Sequence, residues 1–470
     1  MKLPASARNR VLDDFGRGRL PDRRLQERLL SVVEALAANP AAGLPAALQD
    51  AASLEGAYRL LNNPRVTFDG IHEEHAAKTL QRARAAEDVL VIHDTTACAF
   101  PHANAEQIGF LSTGKAGFYV HVSLVTSMET GAARPLGVAH VEVVSRAKKT
   151  QGRDRHIQAT TTAKDEGREF LRWNRGVAAT AELLHDVDNV VHVMDSEGDS
   201  FALFAPMVAA KQRFVVRACH NRNARASSDE EWLKLDELSK RGDVILKRTV
   251  TLSPRKKTRR RVEGSRKQPR EERTAKLSVS ATQVTLRGPH YANTVKQIVI
   301  NVVRVFEAKP PKGEEPVEWI LLTTEPIKTR RDIERIVDIY RRRWLIEEFF
   351  KALKSGCKYT KRQFEKLGAL KNLLAIFLPI AVEILWLRAR ARATPNAPAT
   401  DVFTGTQLDV LRAMGRRSLP KQPTIAQGVW ALAGLAGHRD SNGKPGWQIL
   451  ATAYQKLVDY EAGWNARGAM

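Results

Sequence analysis

The sequence predicts an α/β protein, in which a mixed sheet carries helices on its faces and helical regions precede and follow it. Three observations predict this class. Dense runs of β-branched and apolar residues alternate with helical patterns between residues 89 and 217. An apolar helical periodicity occupies the first 75 residues, and helical patterns return at about residue 331. With 470 residues, 43% of them apolar, the chain is long enough for several domains.

The N-terminal residues predict two helices. Pro21 and Asp22 can start the first, which ends before residues 39–40, and the second covers roughly residues 54–61. The apolar stripe of the first helix consists of Leu25, Leu29, Val32 or Val33, and Leu36. The polar faces carry Arg23, Arg24, Arg28, Arg59 and Arg65. Such a pair is equally consistent with a small DNA-reading unit and with a plain helical subdomain.

The central region predicts the sheet. Strands are expected at residues 89–92, 117–125, 136–144, 190–194 and 214–216, with a helical pattern at about 165–184. Three strands, a helix, a strand, a helix and a strand follow one another in the order of a ribonuclease H-like mixed sheet. We therefore predict a ribonuclease H-like core within residues 76–370, between a helical N-terminal domain at 1–75 and a helical C-terminal domain at 371–470.

A β-rich insertion is predicted at about residues 219–325. It contains alternating runs at 244–252, 277–286 and 295–305, and a tract from Pro254 to Lys276 with eleven Lys or Arg and three Glu. The tract is consistent with a disordered, solvated loop and with a loop that becomes ordered on a phosphate backbone.

The charge of the chain indicates its partner. Lys and Arg number 75 against 52 Asp and Glu, a formal net charge of +23, which favours a polyanion such as nucleic acid. Cys98, Cys219 and Cys357 show no metal or disulfide spacing, so we expect a reduced, cytoplasmic protein without a signal peptide. The apolar residues 373–387 are interrupted by Pro379 and Glu383, which predicts a buried helix and no membrane partner.

Two aspartates follow apolar strand patterns. Asp94 comes after Val-Ile-His and Asp195 after His-Val-Met, and the carboxyl ends of strands commonly carry functional ligands. Cleavage of a phosphodiester by two divalent ions needs carboxylates that point into one pocket. Each aspartate alone is also consistent with a turn former or a helix cap.

A helical pattern near residue 340 supplies the third carboxylate. At about 100° per residue, one face of a helix would carry Tyr340, Arg343, Glu347, Lys351 and Lys354. The opposite face would carry Leu345, Ile346, Phe349 and Leu353. Glu347 lies within the polar stripe and Glu348 does not, which favours Glu347. The alternative is a surface helix stabilised by pairs such as Glu347 with Lys351.

Several segments resemble one family. Tyr340, Arg343, Glu347 and Lys354 have the spacing of the YREK signature of DDE transposases from bacterial insertion sequences, the group that includes the transposase of transposon five. Residues 55–64, 94–96, 213–217, 310–314 and 319–326 also resemble family segments, in the same order. The resemblance covers most of the chain up to about residue 390. It implies a cut-and-paste transposase that cleaves DNA ends, forms and reopens a hairpin, and joins the ends to target DNA.

The resemblance also implies the roles of individual residues. Asp94, Asp195 and Glu347 would be the catalytic ligands of two Mg²⁺ ions, which Mn²⁺ could replace. Around a flipped base, Tyr340, Arg343 and Lys354 would grip phosphates, Trp319 would stack on the base, and Arg217 and Lys351 would contact DNA. For Trp319 taken alone, a buried tryptophan in a strand is the commoner interpretation. Glu197 and Asp199 are interpreted as residues that support Asp195 or cap a helix.

The C-terminal residues predict an apolar helical stripe. Trp447, Leu450, Tyr454, Leu457 and Trp464 recur at helical steps, with Glu461 in the remaining register position. Packing within the chain and packing against a partner are about equally consistent with this pattern. The resemblance implies a homodimer on double-stranded DNA, namely the terminal inverted repeats and the target. The alternatives are an inactive DNA-binding inhibitor of transposition and a ribonuclease H-like host nuclease.

Overall fold

The computed structural model describes residues 5–16, 20–48, 50–128, 133–147, 169–252, 271–289, 295–415, 417–443 and 445–468. These residues fall into two compact units. The first unit combines residues 5–147, 169–189 and 344–468, and the second consists of the described residues within 190–343. The bounds of these units do not coincide with those of the predicted domains at 1–75, 76–370 and 371–470. The three domains remain a prediction.

Helices dominate both ends of the chain. The N-terminal helices are α1 (Ala5–Asp13), α2 (Arg23–Ala38), α3 (Leu44–Ala47), α4 (Ala51–Asn62) and α5 (Phe68–Arg84). The central elements are β1 (Val89–Ala99), α6 (Ala105–Ile108), β2 (Gly117–Ser127), β3 (Pro135–Val144), α7 (Arg172–Leu183), β4 (Val190–Met194), α8 (Phe201–Ala209) and β5 (Arg213–Arg217).

The remaining elements follow in chain order. They are β6 (Asn223–Arg225), β7 (Leu233–Lys234), α9 (Leu235–Arg241), β8 (Val244–Leu252), β9 (Arg273–Arg287), β10 (Gln297–Glu307), β11 (Glu318–Thr323), α10 (Arg330–Arg342), α11 (Trp344–Lys351), α12 (Leu367–Ala393), α13 (Gly405–Met414), α14 (Ile425–Leu435) and α15 (Trp447–Gly468).

The predicted N-terminal helix pair is confirmed as α2 and α4. Both begin at an aspartate whose side chain accepts a hydrogen bond from a backbone N–H in the first turn: Asp22 from Leu25 and Asp50 from Ser53. Such caps satisfy N–H groups that have no partner inside the helix. The stripe of α2 is buried, which explains why its periodicity was visible in the sequence.

In the first unit, β1, β2 and β3 form antiparallel pairs, β1 with β2 and β2 with β3. Helices α5 and α12 pack against β3, and α7 packs against β2 and β3. Helix α12 is long and apolar enough to cross a membrane, but 83% of its most apolar window is buried inside the protein. The helix predicted at residues 373–387 is therefore confirmed as a buried helix, within α12.

In the second unit, β4 and β5 are parallel, as expected for two strands joined by the crossover helix α8. Strand β11 pairs antiparallel with β5, β10 pairs with β11, and β9 pairs with β10. The runs predicted at residues 244–252, 277–286 and 295–305 correspond to β8, β9 and β10, which extend the sheet. Most of the basic tract from Pro254 to Lys276 lies outside the described residues, and its last four residues begin β9.

Two predictions about local structure were wrong. Asp94 does not follow a strand; it lies within β1, which continues to Ala99 because each of its residues pairs with β2. The stripe from Tyr340 to Lys354 does not lie on one continuous α-helix. Helix α10 ends at Arg342 with Arg343 as its C-cap, α11 begins at Trp344, and residues 352–356 form a π-helical turn.

Candidate active site

The first unit brings the strand of Asp94 and the helix of Glu347 together, because α11 packs against β1. Asp94 is 9% exposed, and one of its carboxylate oxygens accepts a hydrogen bond from the Thr95 N–H at 2.7 Å. Two residues further along β1, the Thr96 hydroxyl accepts a hydrogen bond from the Lys354 ammonium at 2.7 Å. Successive odd or even residues of a strand point to one face, so Lys354 approaches the face of β1 that carries Asp94.

The two neighbouring glutamates of α11 lie in different surroundings. Glu348 is buried, and its carboxylate lies 3.4 Å from the Lys351 ammonium and 3.3 Å from the Arg392 guanidinium. Arg388 lies 3.5 Å from the same carboxylate. Glu347 is partly exposed on the adjacent position of the helix. The Glu348 carboxylate is thus paired with cations of its own unit, which favours Glu347 as the candidate ligand.

Lys351 contacts Trp344 as well as Glu348. Its ammonium lies 4.9 Å from the centre of the indole ring, and Trp344 is 51% exposed. A cation over an exposed indole gains a modest attraction from the ring quadrupole. This arrangement presents an aromatic surface and a positive charge side by side at the start of α11. Trp344 was not among the predicted site residues, although its position in the sequence, next to Arg343, was a usable signal.

The side chain of Thr95 points to the face of β1 opposite to Asp94, where polar residues bind it. The Thr95 hydroxyl accepts a hydrogen bond from Arg172 at 2.9 Å and lies 2.9 Å from the His121 Nδ1 atom. Burial, reinforced by the charge of Arg172, lowers the pKa of His121 to about 3, so this imidazole is neutral. Since a neutral ring nitrogen can accept, Thr95 can donate to His121 while it accepts from Arg172.

The second unit contains the other candidate residues. Asp195 immediately follows β4, as predicted, and its side chain accepts a hydrogen bond from the Glu197 N–H at 2.8 Å. This bond makes Asp195 the cap of a short 3₁₀ turn at residues 196–198 and fixes the orientation of its carboxylate.

Tyr340 connects several of these residues. Arg217 donates a hydrogen bond to its phenol oxygen, and the charges of Arg343 and Asp195 act on it. Burial raises the pKa of Tyr340, while Arg343 and Arg217 oppose this shift, so the phenol stays protonated at neutral pH. The Trp319 ring lies edge-on to Tyr340, with 5.5 Å between ring centres. The second unit therefore brings Asp195, Arg217, Trp319, Tyr340 and Arg343 into one neighbourhood.

Trp319 is partly exposed and lines a cavity of about 150 Å³. Apolar residues of β8, β9 and β10 form half of its wall, and Arg248 and Arg341 add two cations. Both arginines pair with Asp338, at 2.7 and 3.5 Å. Trp319 lies in a strand, as the interpretation of a buried strand tryptophan requires, but it is partly exposed and borders a cavity, so the burial part of that interpretation does not hold.

A larger groove of about 790 Å³ lies in the first unit. Its walls are Tyr58 and Asn62 of α4, residues 100–104 and Gln107, and residues 360–366. Lys361, Lys366 and His102 contribute basic groups against the single acidic residue Glu365. Tyr58 and Phe364 lie with ring centres 5.8 Å apart. Basic, amide and aromatic side chains in one groove form a surface that suits a nucleic-acid strand.

The predicted arginines of the N-terminal helix pair are surface residues, and several of them have acidic neighbours. Arg23 pairs with Glu27 at 2.8 Å, and Arg59 pairs with Glu55 at 2.5 Å. Exposed pairs of this kind contribute little to stability and exchange readily with a phosphate. The helix pair therefore presents arginines that a DNA backbone can recruit.

Two family models match the chain. Residues 11–66, which contain α2 and α4, match the family described as Transposase DNA-binding. Residues 173–378, which contain Asp195, Arg217, Trp319, Tyr340, Arg343, Glu347, Lys351 and Lys354, match the Transposase DDE domain. A DNA-binding module and a DDE domain define an enzyme class that binds and cuts DNA with divalent metal ions. The two matches together support a DDE transposase. Asp94 precedes the second match.

Proposed function

We propose that the protein is a cut-and-paste DNA transposase of the YREK-signature group, similar to the transposase of transposon five. Its catalytic core would be ribonuclease H-like, and Asp94, Asp195 and Glu347 would be its catalytic carboxylates. The observation that carries the proposal is the neighbourhood of Asp195, Arg217, Trp319, Tyr340 and Arg343 within the region that matches the DDE domain. A nuclease needs the carboxylates, whereas the aromatic and basic cluster suits a distorted DNA end.

The carboxylates fit hard divalent cations. Oxygen ligands are the donors that Mg²⁺ prefers, and backbone N–H groups orient the Asp94 and Asp195 side chains. When bound, a pair of Mg²⁺ ions, which Mn²⁺ replaces, would make the attacking oxygen more acidic and neutralise the leaving oxygen. The protein's part is to hold three carboxylates in place, with Glu348 paired to its own cations.

The basic and aromatic residues would hold the DNA end. Arg217, Arg343, Lys351 and Lys354 carry positive charge for phosphates, and Tyr340 offers a protonated phenol as a hydrogen-bond donor. Trp319 borders a cavity into which a base can turn, and stacking on an aromatic ring offsets the cost of leaving the helix. A flipped base relieves the tight turn of a hairpin, which is the step that separates this mechanism from simple hydrolysis.

The partner would be double-stranded DNA, first the terminal inverted repeats and then the target. Helices α2 and α4 and the 790 Å³ groove offer a DNA-binding surface within the first unit. Two copies of the chain would act together on two ends as a homodimer, in the bacterial cytoplasm and nucleoid. A net charge of +23 favours this partner and makes its binding sensitive to salt.

The carboxylate assignment is tested with Asp195→Ala and Glu347→Ala. The DNA that flanks the gene supplies the inverted repeats, and gel assays measure end binding and Mg²⁺-dependent nicking separately. We expect both variants to bind the ends as the unmodified protein does and to lose nicking, because only metal ligation is removed. Normal nicking by either variant would contradict the assignment. Cutting of any DNA without strand transfer would identify a host nuclease instead.

The hairpin mechanism is tested with Arg343→Ala. Arginine at this position would act after the base has flipped, so we expect hairpin formation to fall at least about tenfold more than first-strand nicking. Arg342→Ala, at the neighbouring position, is the matched control. A denaturing gel resolves nicked and hairpin products in one reaction. An equal loss at both steps would count against the proposed role.

A further inference from the structure

We propose that Asp199 is a positioning residue for the metal-binding carboxylate Asp195. Its buried carboxylate joins the turn that carries Asp195 to the chain segment that follows Arg217, and thereby holds both residues in register for one DNA phosphate. The inference rests on the proposed function and adds to it a residue outside the three-carboxylate set. Every contact involved lies within the second unit.

The contacts of Asp199 are dense and specific. One carboxylate oxygen accepts hydrogen bonds from the backbone N–H groups of Cys219 at 2.6 Å and His220 at 2.8 Å. The other oxygen pairs with the Arg222 guanidinium at 2.5 Å. Arg222 also donates to the backbone carbonyl of Asp199 at 2.8 Å. The Asp199 side chain is completely buried, and its carboxylate accepts from three donors on a segment some twenty residues away, while its backbone carbonyl accepts from a fourth.

A link from Asp199 to Asp195 exists through the turn between them. The Gly198 N–H donates to the Asp195 carbonyl at 3.2 Å, and the Asp199 N–H donates to the Ser196 carbonyl at 3.4 Å. Gly198 packs so closely that a Cβ atom there would lie 2.9 Å from the Met194 side chain. A turn with this little free space moves as a unit, so a shift of Asp199 shifts the Asp195 carboxylate.

The other side of the link is the end of β5. Cys219 lies two residues after Arg217, and the intervening Ala218 N–H donates to the Ile320 carbonyl of β11 at 2.8 Å. The Cys219 thiol donates back to the Ser196 carbonyl at 3.2 Å, which closes a second contact between the two segments. The Asp199 contacts thus fasten the Asp195 turn to a chain segment that β11 already holds, next to Arg217.

Metal binding by Asp199 itself is a poorer explanation. The ligand atoms of Asp199, Cys219 and His220 lie within 4.8 Å of one another, as in a metal site. Both Asp199 oxygens, however, already accept hydrogen bonds from N–H donors. A buried carboxylate with an arginine partner is also a poor source of stability, because desolvation offsets most of the attraction. The position of the Asp199 carboxylate between Asp195 and the segment after Arg217 is therefore better explained by a positioning role than by a contribution to stability.

The test uses Asp199→Asn, which keeps the shape of the side chain and removes its charge. Calorimetric titration of the full-length protein with Mn²⁺ measures metal affinity without DNA, and nicking as a function of Mg²⁺ gives the half-saturating concentration. We expect the Mn²⁺ affinity to fall, and the half-saturating Mg²⁺ concentration to rise, by about 10- to 100-fold each. Losses of this size are usual when a residue that supports a metal ligand is removed. Arg222→Gln, which leaves the two backbone contacts, is expected to cause a smaller loss of the same kind.

The matched control is Glu307→Gln. Glu307 is a buried carboxylate of the same unit that pairs with Arg273, but it lies on β10 and not on the Asp195 turn. Unchanged Mn²⁺ affinity in both Asp199→Asn and Arg222→Gln would overturn the inference, and so would an equal loss in the control. Mn²⁺ binding that survives Asp195→Ala would instead refute the proposed metal site itself.

Discussion

The adjacent glutamates Glu347 and Glu348 have the same chemistry but differ in burial, and this difference gives them different roles. Glu348 is 5% exposed and lies among Lys351, Arg388 and Arg392, whereas Glu347 is partly exposed on the side of α11 that the stripe predicted. A carboxylate surrounded by cations of its own unit is fixed in place. The same cations hold α11 against α12, which carries both arginines, and so keep Glu347 at a constant position.

Replacing Glu348 tests this division of roles. We expect Glu348→Gln to lower the free energy of unfolding by about 2 kcal/mol, because a buried arginine loses its charge partner while Arg392 and Lys351 can turn to solvent. Urea unfolding measures this value, and nicking at saturating Mg²⁺ should persist. Glu347→Gln is the control and should show the reverse: unchanged stability and no nicking. If Glu348→Gln abolished nicking without loss of stability, the two assignments would have to be exchanged.

Individual site residues were predictable where a short sequence pattern, such as an apolar run or a regular spacing, marked them. Asp195 directly follows an apolar strand, as its local pattern predicted, and the segment from Tyr340 to Lys354 is helical, although two helices and a π-helical turn share it. Thr96, Glu348 and the contacts of Asp199 could not be assigned, because their partners lie tens to hundreds of positions away in the sequence. Such long-range pairs have no local signature.

At the scale of elements, it was easier to predict that a helix or strand forms than to predict where it ends or is interrupted. The stripe of α2 reflects one buried face, which leaves a clear periodicity, whereas β2 is buried along nearly its whole length and appears in the sequence as a dense apolar run. The extension of β1 beyond Asp94 depends on its pairing with β2, and the interruption at Arg343 occurs where the sequence contains neither glycine nor proline. The π-helical turn at residues 352–356 is equally invisible to a rule based on 100° steps.

A hydrogen bond from Lys354 to Thr96 connects that π-helical turn to β1. We expect Thr96→Val, which keeps the shape but removes the acceptor, to slow nicking about tenfold, since a hydrogen bond to a charged group contributes about 1.5 to 3 kcal/mol. Thr96→Ser restores the hydroxyl and should react at nearly the rate of the unmodified protein. Single-turnover nicking of an end duplex measures the rates. Equal rates for the valine and serine variants would show that this contact does not support catalysis.

At the scale of the whole molecule, composition predicted the partner and the elements predicted an α/β architecture. The compact units were not predictable, because the first unit draws on three separated stretches of chain. Helix α12 explains part of this arrangement: its Asn372 donates hydrogen bonds to backbone carbonyls of Leu61 and Val66, more than 300 positions earlier. Residues 344–468 thus belong to the same unit as the N-terminal helices.

The C-terminal helix α15 divides the predicted apolar stripe into two parts. Tyr454 and Leu457 are buried, and Leu450 packs against the cluster that they form with residues of α13 and α14. Glu461 is also buried, and Gln407 of α13 donates to its carboxylate at 3.3 Å. Packing within the chain therefore accounts for the first part of the stripe. The side chain of Trp447 lies outside the described residues.

The exposed part of α15 tests the proposed dimer. Tyr460 and Trp464 are 39% and 45% exposed and lie one helical turn apart, a pair suited to packing against a second copy. We expect the double variant Tyr460→Ser and Trp464→Ser to keep its stability within about 0.5 kcal/mol, as surface substitutions do, and to bind a single end normally. Paired-end complexes, measured by native gel electrophoresis and sedimentation, should fall at least about tenfold. Met414→Ser, at another exposed apolar residue of the same unit, should leave them unchanged, and normal pairing by the double variant would remove α15 from the dimer interface.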